Sequence, residues 1–280
     1  MDLLSTQFRA DIIDKRAVKV ITGLDNFDIN YIIKVVKASE IGGATYLDIA
    51  ANPDIISIVK SITSLPICVS SIEPAELYKC SLAGADLLEI GNFDCFYDKR
   101  ITFSALQIIK LTQETINLIK SHEKNLCVTI PHTLLLNEQI SLAIALQELG
   151  VNMLQTEGAS TKNLNNKFVT GDVYHDILSS TYKASSALSS TYALAQSTNI
   201  PIISASGINV LSAPVAIYYG ASVVSIGSAL ANYKTVVEMA NYIHEIVSSI
   251  TQSSNDLYTK GAWYINTLST NLDKVNNSLN

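Results

Sequence analysis

The chain has 280 residues, 48% of them hydrophobic and 16% charged, with a formal net charge of −6. That size and composition suffice for one full hydrophobic core, and a negative balance without a basic cluster excludes bulk nucleic-acid binding. No run approaches the roughly 20 apolar residues of a membrane span, and residues 1–16 carry Asp2, Asp11 and Asp14 rather than the pattern of a signal or transit peptide. The expectation is a soluble protein that is used where it is made or whose targeting segment is missing. Cys68, Cys80, Cys95 and Cys127 form no CxxC pair and read as reduced structural thiols.

In chain order, eight short apolar runs alternate with helical candidates. The runs cover residues 17–21, 45–49, 66–70, 86–90, 126–130, 151–155, 200–204 and 221–225. After the first, Asp28 caps a helix carrying Ile32, Ile33, Val36 and Ala38 that stops before Gly42-Gly43. Asn52-Pro53 and Glu73-Pro74 open the second and third helices, with Pro at the first helical position. Residues 104–121 carry Leu106, Ile109, Ile116 and Ile119 at helical spacing. Residues 136–149 form the fifth helix, stopped by Gly150. The stretch 158–182 is polar and reads as a long loop, either a lid over the rim or a disordered insertion, before an Ala- and Ser-rich sixth helix. A last helix spans 242–250, and the polar tail 251–280 places Tyr264, Leu268, Leu272, Val275 and Leu279 at amphipathic spacing.

Strand–helix alternation repeated eight times over about 250 residues is the order and size of a (β/α)8 TIM barrel. The domain reading is a barrel over residues 1–250 and a tail over 251–280. An open doubly wound sheet would need a nucleotide fingerprint at its first turn, and Ile21-Thr-Gly-Leu-Asp25 lacks the three spaced glycines. Because side chains alternate across a strand, one parity collects Lys19, Asp48, Ser70, Glu89, Thr129, Gln155, Glu157, Ser204, Ser206 and Ser225. Their neighbours on the other face are mostly Val, Leu and Ile, as expected beneath covering helices. The polar set is therefore expected inside the barrel.

Two glycine turns, Ser204-Ala-Ser-Gly207 and Ser225-Ile-Gly-Ser-Ala229, end the seventh and eighth runs. In TIM barrels those loops commonly hold a phosphate on backbone N–H groups. Ser204, Ser206, Gly207, Gly227 and Ser228 are the expected phosphate ligands; tight turns that simply need glycine are the other reading. Lys19 points inward, where a lysine is rarely buried without a partner. It is read as an imine former, a base or a fixed charge, or as half of a structural ion pair with Asp48 or Glu89. Asp48, Glu89 and Glu157 are candidates for acid–base work alongside Lys19. Gln155, His132, Ser70 and Thr129 are candidates for binding substrate. The three carboxylates could also bind a divalent cation, but no His pair at ligand spacing accompanies them, so no cofactor and no metal site is expected. His122 and His244 read as surface residues, and His175 falls in the polar stretch. There is no GxSxG, P-loop or HExxH signature.

The segments Lys19-Val-Ile-Thr-Gly-Leu-Asp-Asn-Phe-Asp28, Ile67-Cys-Val-Ser-Ser-Ile-Glu-Pro74, Glu89-Ile-Gly-Asn-Phe-Asp94, Val128-Thr-Ile-Pro-His132, Leu154-Gln-Thr-Glu-Gly158 and Ser204-Ala-Ser-Gly207, taken as a set, resemble the hypothetical chloroplast reading frame twenty-three family of algal plastids and cyanobacteria. The likeness runs from about Phe8 to about Tyr242. It implies a protein of the plastid stroma with a fold like the ribulose-phosphate-binding barrels. It carries over no catalytic residue. The expected function is an enzyme acting on a small phosphorylated metabolite by lyase, isomerase or epimerase chemistry, possible as a homo-oligomer. The alternative is a non-catalytic barrel that binds such a metabolite and signals to a partner protein.

Overall fold

In the computed structural model, residues 6–97, 99–120, 125–158 and 173–251 are described, with side chains of the helix that begins at 173 described from 178 onward. Eight parallel strands close into a barrel in sequence order: β1 Ala17–Ile21, β2 Tyr46–Ala50, β3 Ile67–Ser71, β4 Leu87–Ile90, β5 Asn125–Thr129, β6 Met153–Gln155, β7 Ile202–Ser204 and β8 Val223–Ile226. Each begins within two residues of its predicted run. β8 closes on β1 with Lys19 opposite Ser225. The helices between strands are α2 Ile29–Gly42, α3 Pro53–Lys60, α4 Pro74–Leu82, the short α5 Asp94–Tyr97 with α6 Ala105–Ile119, α7 Leu136–Glu148, α8 Val173–Ser197 and α9 Ala213–Tyr218. Residues 236–251 form α10.

The helix starts follow the cap chemistry. Asp28 accepts from the backbone N–H of Asn30 (3.0 Å), and Asn52 from that of Asp54 (2.9 Å). Both satisfy orphan donors of the first turn.

Two cores follow from the alternation of the strands. The outer one joins Val18, Val20, Leu47, Ile49, Val69 and Leu88 to Ile32, Val36, Ile56, Leu77, Ile108 and Leu146 of the helices. The inner one fills the N-terminal half of the lumen with Ala17, Tyr46, Cys68, Leu87, Cys127, Met153, Ile203 and Val223. It is plugged by Phe8 and Ile12 of a helix absent from the sequence reading, α1 Thr6–Ile13. Phe8 meets the ring of Tyr46 edge-on at 5.3 Å.

Two expectations change. The polar stretch is helical from Val173, so the loop does not extend to Tyr182. The buried face of α8 is built from Ser180, Ala184, Ala187, Thr191 and Leu194 at three- and four-residue steps, and small or hydroxylated residues hide that periodicity from a hydrophobic pattern. Ser204 faces outward. Its Oγ accepts from Thr191 Oγ1 of α8 at 2.8 Å, while Ile203 takes the lumen position. The rest of the polar stretch, residues 159–172, read as a lid or an insertion, and the tail from 252 lie outside the described residues. Among the described residues no helix is long and apolar enough to cross a membrane.

Candidate functional site at the strand C-termini

The lumen parity brings Lys19, Asp48, Ser70, Glu89, Thr129 and Gln155 into one buried network in the C-terminal half of the barrel. Lys19, fully buried, donates to Glu89 Oε2 and to Gln155 Oε1 (2.9 Å) and forms an ion pair with Asp48 Oδ2 at 2.7 Å. Ser70 Oγ donates to Asp48 Oδ1 at 2.6 Å, and Thr129 Oγ1 to Glu89 Oε1 at 2.8 Å. Gln155 Nε2 donates to Glu89 Oε1 (2.7 Å), Asn92 Oδ1 (3.0 Å) and Thr129 Oγ1 (3.2 Å).

Burial pulls the Lys19 ammonium down, but Asp48 and Glu89 together outweigh it and hold its pKa well above the ordinary lysine value. Burial pushes the Glu89 carboxyl up, against the pull of Lys19. The ammonium is thus a fixed charge shared by two carboxylates rather than a free amine, which argues against an imine at this position. Asp48, Cys68 and Glu89 bring metal-ligating atoms within 4.8 Å of one another, but both carboxylates are already paired with Lys19. Burial also raises the Cys68 thiol well above its usual value, so it is a poor source of thiolate.

Sequence reasoning assigned no role to Asn92, which caps this network. Its Nδ2 donates to Asp48 Oδ2 (2.9 Å) and Ser70 Oγ (3.0 Å) from a backbone at φ 61°. Asn tolerates that left-handed conformation because its short polar side chain bonds locally. An asparagine just past a strand end, in Ile90-Gly-Asn92, was the available signal.

A second cluster stands beside the first. Glu157 Oε2 accepts from Tyr97 Oη (2.5 Å), from the His132 backbone N–H (3.3 Å) and lies 3.2 Å from His132 Nδ1. The Tyr97 and His132 rings meet edge to face at 4.6 Å. Burial and the Glu157 carboxylate drive the Tyr97 phenol far above its usual pKa, so it serves as a standing O–H donor. Tyr97, on the short helix α5, carried no sequence signal. His244 is exposed, whereas His122 and the side chain of His175 lie outside the described residues.

Above both clusters opens a cleft of about 820 Å³. Its lining includes Asn92, Gln155 and Glu157 after β4 and in and after β6, and Ser206, Gly207, Ser225, Gly227 and Ser228 of β7, β8 and their turns. Lys19, Asp48, Ser70, Glu89 and Thr129 are not part of that surface; they lie beneath it. Lys183 of α8, to which the sequence reading gave no role, also lines the cleft. Ser206 and Gly207 both hold positive φ, at 75° and 71°. A Cβ on Gly207 would sit 2.2 Å from the Lys183 carbonyl oxygen, so this glycine is demanded by the close passage of α8 as well as by its backbone angle.

The family model described as "Protein of unknown function (DUF561)" matches residues 4–256. The chain belongs to the DUF561 family. An uncharacterized protein ycf23 of Antithamnion sp. is 44% identical over 98% of this chain and 99% of its own length. That of Pyropia yezoensis is 45% identical over 88% and 87%. These relatives point to a plastid protein. Among solved structures, 3-hexulose-6-phosphate synthase from Salmonella typhimurium superposes with a TM-score of 0.58 at 16% identity, covering 85% of this chain and 99% of the other. The (S)-3-O-geranylgeranylglyceryl phosphate synthase of Thermoplasma acidophilum, in complex with sn-glycerol-1-phosphate, gives 0.57 at 14%, covering 89% and 100%. At such identities the likeness shows the fold of this DUF561 chain alone: a TIM barrel of the type found in phosphate-binding enzymes.

Proposed function

We propose that this DUF561 protein is a stromal enzyme that binds a small phosphorylated metabolite in the rim cleft and moves a proton on it, in lyase, isomerase or epimerase chemistry. The observation that supports this best is the shared cleft. The glycine turns after β7 and β8, Lys183 and Glu157 all line it. Backbone N–H groups of Ser206, Gly207, Gly227 and Ser228 would hold the phosphate, with Lys183 supplying charge. Glu157, at the cleft surface and steadied by Tyr97 and His132, is the candidate base. Asp48 and Glu89 belong to the buried charge centre with Lys19 and act on a ligand through Gln155 and Asn92. Solved structures of similar fold include enzymes named for phosphorylated compounds, which is consistent with this reading.

The test is thermal stabilisation by inorganic phosphate and a panel of sugar phosphates, since a ligand that binds only the folded state raises Tm. Ser228 is exposed, so Ser228→Asp adds an anion at the turn without disturbing the core. The expected result is stabilisation of the native protein and its loss in Ser228→Asp. Absence of any shift at saturating concentration overturns the phosphate reading.

A further inference from the structure

Among the described residues that line the cleft, Ser225 is a buried one whose hydroxyl has no hydrogen-bond partner. Gln155 and Asn92 also line it, but their amides are committed to Lys19, Glu89, Thr129, Asp48, Ser70 and each other. Ser225 is different. It lies on the lumen side of β8 opposite Lys19, since its neighbour Val224 faces the outer core. The residue is 2% exposed, and its Oγ has no hydrogen-bond partner. Buried hydroxyls are normally satisfied, and Lys19 directs its hydrogen bonds to Glu89 and Gln155 and pairs with Asp48, not with Ser225.

The chemistry around Ser225 narrows what could complete it. The layer below holds two carboxylates against one ammonium, which disfavours a second anionic group on the ligand. A serine hydroxyl turns on one rotor and offers a donor and acceptors together, matching a neutral oxygen. Ser225 precedes Gly227 and Ser228 by two and three residues, which at about 3.3 Å per residue places it roughly 7–10 Å from the turn. That spacing suits a phosphate and an oxygen separated by a short carbon chain.

We propose that Ser225 is a specificity-determining residue that binds a neutral hydroxyl or carbonyl oxygen at the far end of a short phosphomonoester. The proposal rests on the phosphate reading above. Calorimetric titration with glycerol 3-phosphate and with n-propyl phosphate, which lacks the hydroxyls, separates the two. The native protein is expected to bind glycerol 3-phosphate about tenfold more tightly. In Ser225→Ala the preference falls to within about twofold while propyl phosphate affinity stays the same. Removing an unpaired buried hydroxyl leaves no orphaned partner, so the variant is expected to fold normally. If both compounds bind and Ser225→Ala keeps the native preference, or the native protein shows none, the role of Ser225 is overturned and the phosphate site stands. If neither compound nor inorganic phosphate binds, the phosphate reading falls and this inference falls with it.

Discussion

Lys19 shows how one residue sets the character of the barrel interior. Its ammonium is fully buried, donates to Glu89 and Gln155 and is ion-paired with Asp48. Replacing it leaves two carboxylates facing each other in a dry site, and breaking a buried pair by removing one partner costs about 3–5 kcal/mol. Lys19→Met is expected to lower urea-unfolding stability by that amount near neutral pH. The pH dependence has a definite sign. With the folded pKa above the unfolded value of about 10.4, the contribution of Lys19 is fully present below that value and is lost as pH rises through the folded pKa. Native stability should therefore fall more steeply than that of Lys19→Met above about pH 10, a comparison made by urea midpoints at both ends of the range. Strand parity alone brought Lys19, Asp48, Glu89 and Gln155 to one face. It did not show which of them pair, because the pairing depends on strands meeting across the lumen. The partners of Asn92 and Tyr97 were beyond reach for the same reason: each lies more than 20 residues away in the chain.

At the scale of elements, α1 is the clearest case of a segment that only tertiary context explains. Read alone, residues 6–13 offer few apolar positions, and two of them, Phe8 and Ile12, close the open end of the lumen. Phe8→Ala should destabilise the protein by about 3–5 kcal/mol, as for other buried Phe truncations, measurable as a lower denaturation midpoint in urea. The glycine turns are also constrained beyond turn chemistry. Gly91 would place a Cβ 2.0 Å from Thr129 Oγ1, and Gly207 one 2.2 Å from the Lys183 carbonyl oxygen. Gly207→Ala is therefore expected to lower Tm by several degrees whether or not phosphate is present, since strain at positive φ adds to the clash. The starts of α2 and α3 were legible because their cap residues act locally. The start of α8 was not, because its buried face is made of small and hydroxylated residues.

For the whole molecule, closure of β8 on β1 leaves none of the eight strands at an edge. Amide hydrogen exchange should thus protect residues 17–21 and 223–226 as strongly as 67–71. Faster exchange at the first two than at the third would indicate an open sheet. The sequence by itself determined the number and order of strands, most helix boundaries and the face of each strand carrying polar residues, with β7 the exception. These depend on alternation, caps and glycine stops acting over a few residues. Tertiary structure decided which polar residues touch, which lie under the cleft floor and which line it. It turned Ser204 outward toward Thr191, and it joined β6, β7 and β8 into one cleft. Those outcomes depend on barrel shear and on helices crossing strands distant in sequence, so no local pattern encodes them.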